Sequence, residues 1–525
     1  MKYSLPSRTA RVSAGVWLIL INLACGVAPE SKQPPQELPR AQRAEAASSF
    51  VQGTMLAEKG KLEQALQSFD QALKSDPNYL PLQIAKADVL CQLGRADEGV
   101  QLLEAAQKSG SRSAEISSLL ALGYFKKKEA AKARHSLDDA LKQAPKESSQ
   151  SSAYYLKLGE RLGNLMLELD HPSPTIISRR LLPLFEKAAA LDPRNARLQF
   201  QVAELAVHAE DNAKAAVFYE KTYALARSFP DIQSRLAAAL IASHQEKKAV
   251  EVLEQMLEDK TVENKKMYPV LAALYENLEN FEKAEDYCLL NVKLGEPDAN
   301  DYVNLARVQL LNKKPEKAAE TLLDAQRAFP TEPRLPFMRG IALRVAKKNQ
   351  ESRTAFELAE KIGADAKDFL NSNFYFEYGS TCERAGDAAA AEKYFQKALT
   401  LEPNNHMAMN YLGYMWAEQN QKLDEAEKLL QRALKFDPEA AAYQDSLAWI
   451  YYRQGRFREA RDLLLLAVKK MDKDPTVQDH LGDVYLKLRN KARAVQHWEK
   501  ALAATEDASE KKKIEEKIVA HAKKK

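Results

Sequence analysis

Small residues recur along the last third of the chain at a nearly constant interval: Gly379, Gly413, Ala448 and Gly482. A second small column runs through Ala391, Ala426, Ala460 and Ala494, and a third through Ala398, Ala433, Ala467 and Ala501. Between these two lies a bulky column, Phe395, Leu430, Leu464 and Trp498, and in every column successive members stand 34 or 35 residues apart. Helical amphipathicity alone has a period of about 3.6 residues, so a recurrence ten times longer requires a repeated unit of tertiary structure. A unit of this length accommodates two antiparallel helices and a short turn. Small residues let the two axes approach, and the bulky residue is expected to fill the gap against the next unit. One such pair cannot bury both its faces, so pairs must stack.

The interval is that of the tetratricopeptide repeat (TPR). Followed backwards, the pattern predicts an all-α, right-handed superhelical solenoid of about thirteen helix-pair units over residues 46–506. Residues 507–525 form a C-terminal capping helix with a Lys-rich tail. Units one to three span 46–145 and are regular, as are units five to thirteen over 194–506. The unit over 146–193 is irregular. The segment "LDHPSPTIISRRLLP" adds about ten residues, and Pro172 and Pro174 are expected to hold it as an inserted loop, with a bend in the stack nearby. Pro315 falls where a second helix should begin, a first-turn position that tolerates proline.

The N-terminus reads as a targeting segment over residues 1–24. Lys2, Arg8 and Arg11 precede the apolar run Val12–Ala24, too short to span a bilayer comfortably. The run ends in "INLACG", which resembles a bacterial lipoprotein box with Cys25 as the lipid-modified residue. Asn22 departs from the leucine that such boxes prefer. Gly26, not Asp, follows the cysteine, which favours an outer-membrane lipoprotein facing the periplasm. A secreted protein, or one held by an uncleaved N-terminal segment, is the alternative. Residues 25–45 carry four prolines and read as an extended tether.

Charge and motif content narrow the function. Removing residues 1–24 leaves 74 Lys+Arg against 73 Asp+Glu, from 77 and 73 in the whole chain, a balance that gives no reason to expect nucleic acid. No H-E-x-x-H, G-x-S-x-G, Walker loop, dinucleotide turn or C-x-x-C occurs. The eight histidines lack metal-ligand spacing, and Cys91, Cys288 and Cys382 fall at packing positions of separate units. The expectation is a non-enzyme without metal, cofactor or small-molecule substrate.

In a TPR unit the first helix lines the concave groove. Over the last three units its outward positions are Asn410, Tyr411 and Tyr414; Asp445, Ser446, Trp449, Tyr452 and Arg453; and Asp479, His480 and Asp483. Aromatic rings interleaved with carboxylates suit an extended peptide or a partner helix, so these are the candidate partner-binding residues. The competing reading has Trp449 and Tyr452 packed between units. The segments "NYLGY", "DSLAWIYYRQG" and "DHLGDVY" resemble the C-terminal repeats of exported bacterial TPR lipoproteins. That family includes a periplasmic adaptor for a carboxyl-terminal processing protease. The resemblance covers roughly the last hundred residues, with Ala448 where the family often has Gly. It implies a membrane-anchored scaffold or adaptor that recruits envelope proteins, among them a protease and its substrates. The alternative is a pilotin-like assembly factor for a secretion or pilus complex.

Overall fold

A computed structural model describes residues 40–147, 150–258, 266–366 and 368–521. Residues 1–24 and Cys25 lie outside the described residues. Twenty-seven α-helices and no strand occur among those described. Twenty-six of the helices form thirteen antiparallel pairs, and α27 (Ala508–His521) closes the series as the expected capping helix. The chain divides at residues 259/260 into two compact units, the first with six pairs and the second with seven pairs plus α27. The first helix, α1 (Arg40–Glu58), begins before the expected residue 46. Pro39 is the last proline of the tether sequence, and the Ala-rich stretch after it propagates helix readily.

The two helices of each pair are locked by one size-matched contact. A Cβ placed on Gly379 would stand 2.7 Å from Phe395, one on Gly340 2.6 Å from Phe356, and one on Gly159 2.6 Å from Phe185. Gly53 faces Phe69 and Gly482 faces Trp498 in the same way. The bulky residue therefore rests on the small residue of its own pair, not only against the next unit as the sequence suggested. Where alanine replaces glycine, the partner is usually leucine. Ala121 and Leu137 share one core, Ala306 and Leu322 another, and Ala448 and Leu464 a third.

The fourth pair shows what the extra ten residues do. They form no loop. In α7 (Ser152–Asp170, 19 residues) and α8 (Pro174–Leu191, 18 residues) they lengthen both helices, against 13 and 14 residues in α19 (Ser372–Arg384) and α20 (Ala388–Leu401). Only residues 171–173 remain as the turn. Pro174 occupies the first helical position, where its missing N–H is no loss, and the Ser173 hydroxyl caps the Ile176 N–H. The proline read as a helix stop is a helix start.

Every turn within a pair contains a residue with positive φ, and only four of the thirteen are glycine: Gly60, Gly94, Gly386 and Gly455. In α17 (Arg334–Val345) the helix ends with Lys347 at φ 61°. There Lys348 N–H bonds Leu343 C=O at 2.8 Å and Lys347 N–H bonds Arg344 C=O at 3.0 Å. These paired bonds satisfy the last helical carbonyls and hold a lysine in a conformation that usually selects glycine.

Between pairs, polar ties supplement the apolar contacts. Glu285 of α14 (Phe281–Leu294) is buried and accepts from Lys314 at 2.8 Å, Lys317 at 2.6 Å and Asn312 at 2.8 Å, all in the next pair. Burial alone would raise its pKa, but these donors outweigh it and hold the carboxyl down to about 2. Cys91, Cys288 and Cys382 are buried free thiols, each pushed up to about 11 chiefly by burial.

The size-matched contact makes a direct prediction. Gly379→Ala should cost about 1–3 kcal/mol by overpacking against Phe395. Adding Phe395→Leu recreates the Ala–Leu combination of Ala448 and Leu464, so the double variant should lose less stability than the two single losses added together. Chemical denaturation of the four proteins reads the coupling. Purely additive losses would show that the two residues do not share one contact.

Candidate functional site on the inner face of the last three pairs

The last three pairs are α21 (His406–Glu418) with α22 (Leu423–Phe436), α23 (Ala441–Arg453) with α24 (Phe457–Lys470), and α25 (Pro475–Lys487) with α26 (Lys491–Ala504). Their first helices touch in sequence, α21 on α23 and α23 on α25, and so make one continuous inner face. Residues 34 or 35 apart then come side by side on it.

Trp449 is the centre of this face. Its indole stacks with Tyr452 at 4.6 Å and with His480 of the next pair at 4.0 Å, the planes 5° and 14° apart. The Tyr414 ring lies 6.3 Å from His480. Trp449 donates its indole N–H to the Glu418 carboxylate of the preceding pair. Arg453 donates to the Ala417 and Glu418 carbonyls at 2.9 and 2.8 Å, placing a cation on the negative end of α21. Trp449 is only 8% exposed, so it joins three pairs instead of standing free in a groove. Tyr452 remains half-buried beside it.

The carboxylates divide into two groups. Asp445 is buried and lies 2.9 Å from Nδ1 of the buried His480. Asp479 and Asp483, half-buried, both accept from Lys517 of α27, Asp479 at 2.8 and 2.7 Å and Asp483 at 2.9 Å. Asp483 also accepts from the Trp498 indole at 3.0 Å. Burial alone would lower the His480 pKa, but Asp445, aided by Asp479 and Asp483, reverses the effect and the net direction is upward. Burial and then the Asp479 charge raise Asp483, with Lys517 opposing. Burial would likewise lower Lys517, yet Asp483 and Asp479 hold it above the usual lysine range.

Eight of the sequence-derived residues thus come together: Tyr414, Asp445, Trp449, Tyr452, Arg453, Asp479, His480 and Asp483. Tyr411 stands apart, packed edge-on to Phe376 at 5.2 Å in the pair before. The side-chain oxygen of Asn410 is buried without a hydrogen-bond partner, and Ser446 is buried. Two members of the array escaped the sequence reading. Glu418 stands 35 residues before Arg453, at the matching position, and Lys517 stands 34 after Asp483. Extending the same columns one step in each direction would have found both. Among the described residues no cluster of three or more His, Cys, Asp or Glu has metal-binding geometry, and no helix is long and apolar enough to cross a membrane.

Two stretches match known protein families. Residues 56–123 match the tetratricopeptide repeat, and residues 366–471 match the middle TPR-like domain of cilia and flagella-associated protein 70. Both are helix-pair repeats. No curated protein matches the sequence. Among solved structures, Cut9–Hcn1 of the APC/C hetero-tetramer is 14% identical, with 93% of this chain and 97% of that one covered, at a TM-score of 0.41. Yeast Tom70 is 15% identical over 91% and 96%, at 0.37. PilW, a type IV pilus biogenesis factor, is 20% identical over 41% and 97%, at 0.36.

The His480–Asp445 pair sets a pH dependence. Its folded pKa lies above the unfolded value of about 6.5, so its stabilisation is complete below that value and is lost as pH rises through the folded pKa. The raised pKa of Asp483 acts in the same direction. Burial holds His497 of the same pair down to about 4, and it acts in the opposite direction. The His480 contribution is therefore read as the difference in melting temperature between wild type and His480→Gln, which should rise when pH is lowered from about 8 to about 6, the range in which histidine titrates. A difference that falls toward acid over this range would contradict the assignment.

Proposed function

We propose that the chain is a non-catalytic scaffold that takes a protein partner, as an extended peptide or helix, on the inner face of its last three pairs. The observation that carries this reading is the continuity of Tyr414, Trp449, Tyr452 and His480 across three pairs, bordered by Asp479 and Asp483. The half-buried Tyr414 and Tyr452, backed by the buried Trp449 and His480, offer contact area with little entropy left to lose, and the flanking acids orient a basic partner. A lipid on Cys25 would hold the scaffold to the outer membrane, facing the periplasm. The resemblance of the last hundred residues to exported TPR lipoproteins supports envelope proteins as partners, a processing protease and its substrates foremost.

Purification from detergent-solubilised envelopes tests the reading. The partner should be recovered with the wild type, and its affinity should fall by about 2 kcal/mol in Tyr452→Ala while the melt is unchanged. Trp449→Ala should instead cost about 3–5 kcal/mol of stability, because its indole is buried between pairs. Clickable fatty acid should label the wild type and not Cys25→Ser. Unchanged capture by a folded Tyr452→Ala would move the partner elsewhere, and an unlabelled wild type would remove the lipid.

A further inference from the structure

The last described helix, α27, lies on the face of its preceding pair that, in earlier pairs, the next pair covers. Thirteen complete pairs precede α27, so it occupies the place that the first helix of a further pair would take. It lies against this seat along one stripe: Ile514, Lys517, Ile518 and His521. Ile514 is buried in the core that contains Leu481, Tyr485 and Trp498, with Ile518 packed at its edge. His521 lies 5.7 Å from the Trp498 ring. Lys517 reaches the inner face and makes three hydrogen bonds to Asp479 and Asp483. It continues the column Tyr414, Trp449, Asp483, so a cation follows two rings and a carboxylate at one register position.

What holds α27 is slight beside what holds its neighbours. It buries one side chain, Ile514, whereas α25 buries seven residues and α26 buries Ala494, Trp498 and Ala501. Val519, on its outer side, is 79% exposed. Removing α27 would leave α25 and α26 packed together through Gly482 and Trp498, while uncovering an apolar floor beside two carboxylates of matching charge for a lysine. Terminal elements with few buried contacts open first.

We propose that this seat is a receptor for an amphipathic helix carrying an apolar–x–x–Lys–apolar stripe, and that α27 is its resident, displaceable occupant. A partner helix with that stripe places its lysine between Asp479 and Asp483 and its apolar residues over Leu481, Tyr485 and Trp498. The partner competes with α27 for one site, so the resident helix sets the threshold that the partner must exceed. The proposal deepens the scaffold reading and rests on it only for the partner's being a protein of another kind.

The chain's own helix supplies the probe, a fluorescent peptide of residues 507–521 added to full-length protein. In Lys517→Glu the resident helix is repelled by Asp479 and Asp483, so the peptide should bind this variant at least about tenfold more tightly than it binds the wild type. A peptide with the same lysine changed to glutamate should bind neither. Hydrogen exchange on the wild type should show the α27 amides exchanging well ahead of those in α25 and α26. The proposal is overturned if α27 exchanges only together with α25 and α26. It is equally overturned if Lys517→Glu, with α25 and α26 still protected, takes up no peptide. Should that variant lose protection in α25 and α26, Lys517→Gln replaces it under the same criteria. A negative result would remove the seat beneath α27 and leave Tyr452-dependent capture on the inner face standing.

Discussion

The approach of two helix axes within each pair depends on a single trade of volume. Glycine on the first helix meets phenylalanine or tryptophan on the second in five pairs, as Gly379 meets Phe395 and Gly482 meets Trp498, and leucine in one, where Gly413 meets Leu430. Alanine commonly meets leucine. The smaller first-helix residue commonly takes the larger partner, which is how a close-packed interior tolerates substitution. Because the trade is completed inside one pair, each pair fixes its own geometry and needs from its neighbours only that they cover the remaining apolar faces. That locality is the physical basis for a stack in which stability accumulates pair by pair.

The same locality decides how far the fold was legible. Columns such as Gly379–Gly413–Ala448–Gly482 are visible because one packing demand recurs with one residue class. The column of positive-φ residues recurs just as faithfully, but Gly60, Glu210, Lys347 and Asn420 span a glycine, an acid, a base and an amide. What they share is a backbone state imposed by the carbonyls ahead of them, and that leaves no signature in residue type. The segment around Pro172 and Pro174 was misread for a related reason: a proline marks a boundary without saying on which side the helix lies. In the candidate site the rings and acids were found by register. Whether Trp449 faced solvent or protein depended on His480 and Glu418 in two other pairs, which spacing alone does not decide.

Buried charge is distributed unevenly along the second unit. Around Glu285 one carboxylate is surrounded by two ammonium groups and an amide, so the tie is complete within two adjacent pairs. Around Asp445, Asp479 and Asp483 the acids outnumber the fixed cations, and the balance is supplied by an ionisable imidazole and by one lysine from the last helix. The first arrangement strengthens the stack and asks for nothing further. The second leaves the last pair and α27 sensitive to solution conditions and to competing cations.

The lengthened fourth pair carries a lesson about growth. Gly159 and Phe185 keep their contact although ten more residues separate them than separate Gly379 from Phe395. All the added length lies beyond that contact, divided between the end of α7 and the start of α8. An insertion that enters both arms of a hairpin together behaves like a mast raised from an unaltered hull. It extends the rim by about 9 Å for six helical residues and leaves the joints below unmoved. New surface can therefore be added to such a chain, by evolution or by engineering, without renegotiating the core, provided the two arms lengthen in step.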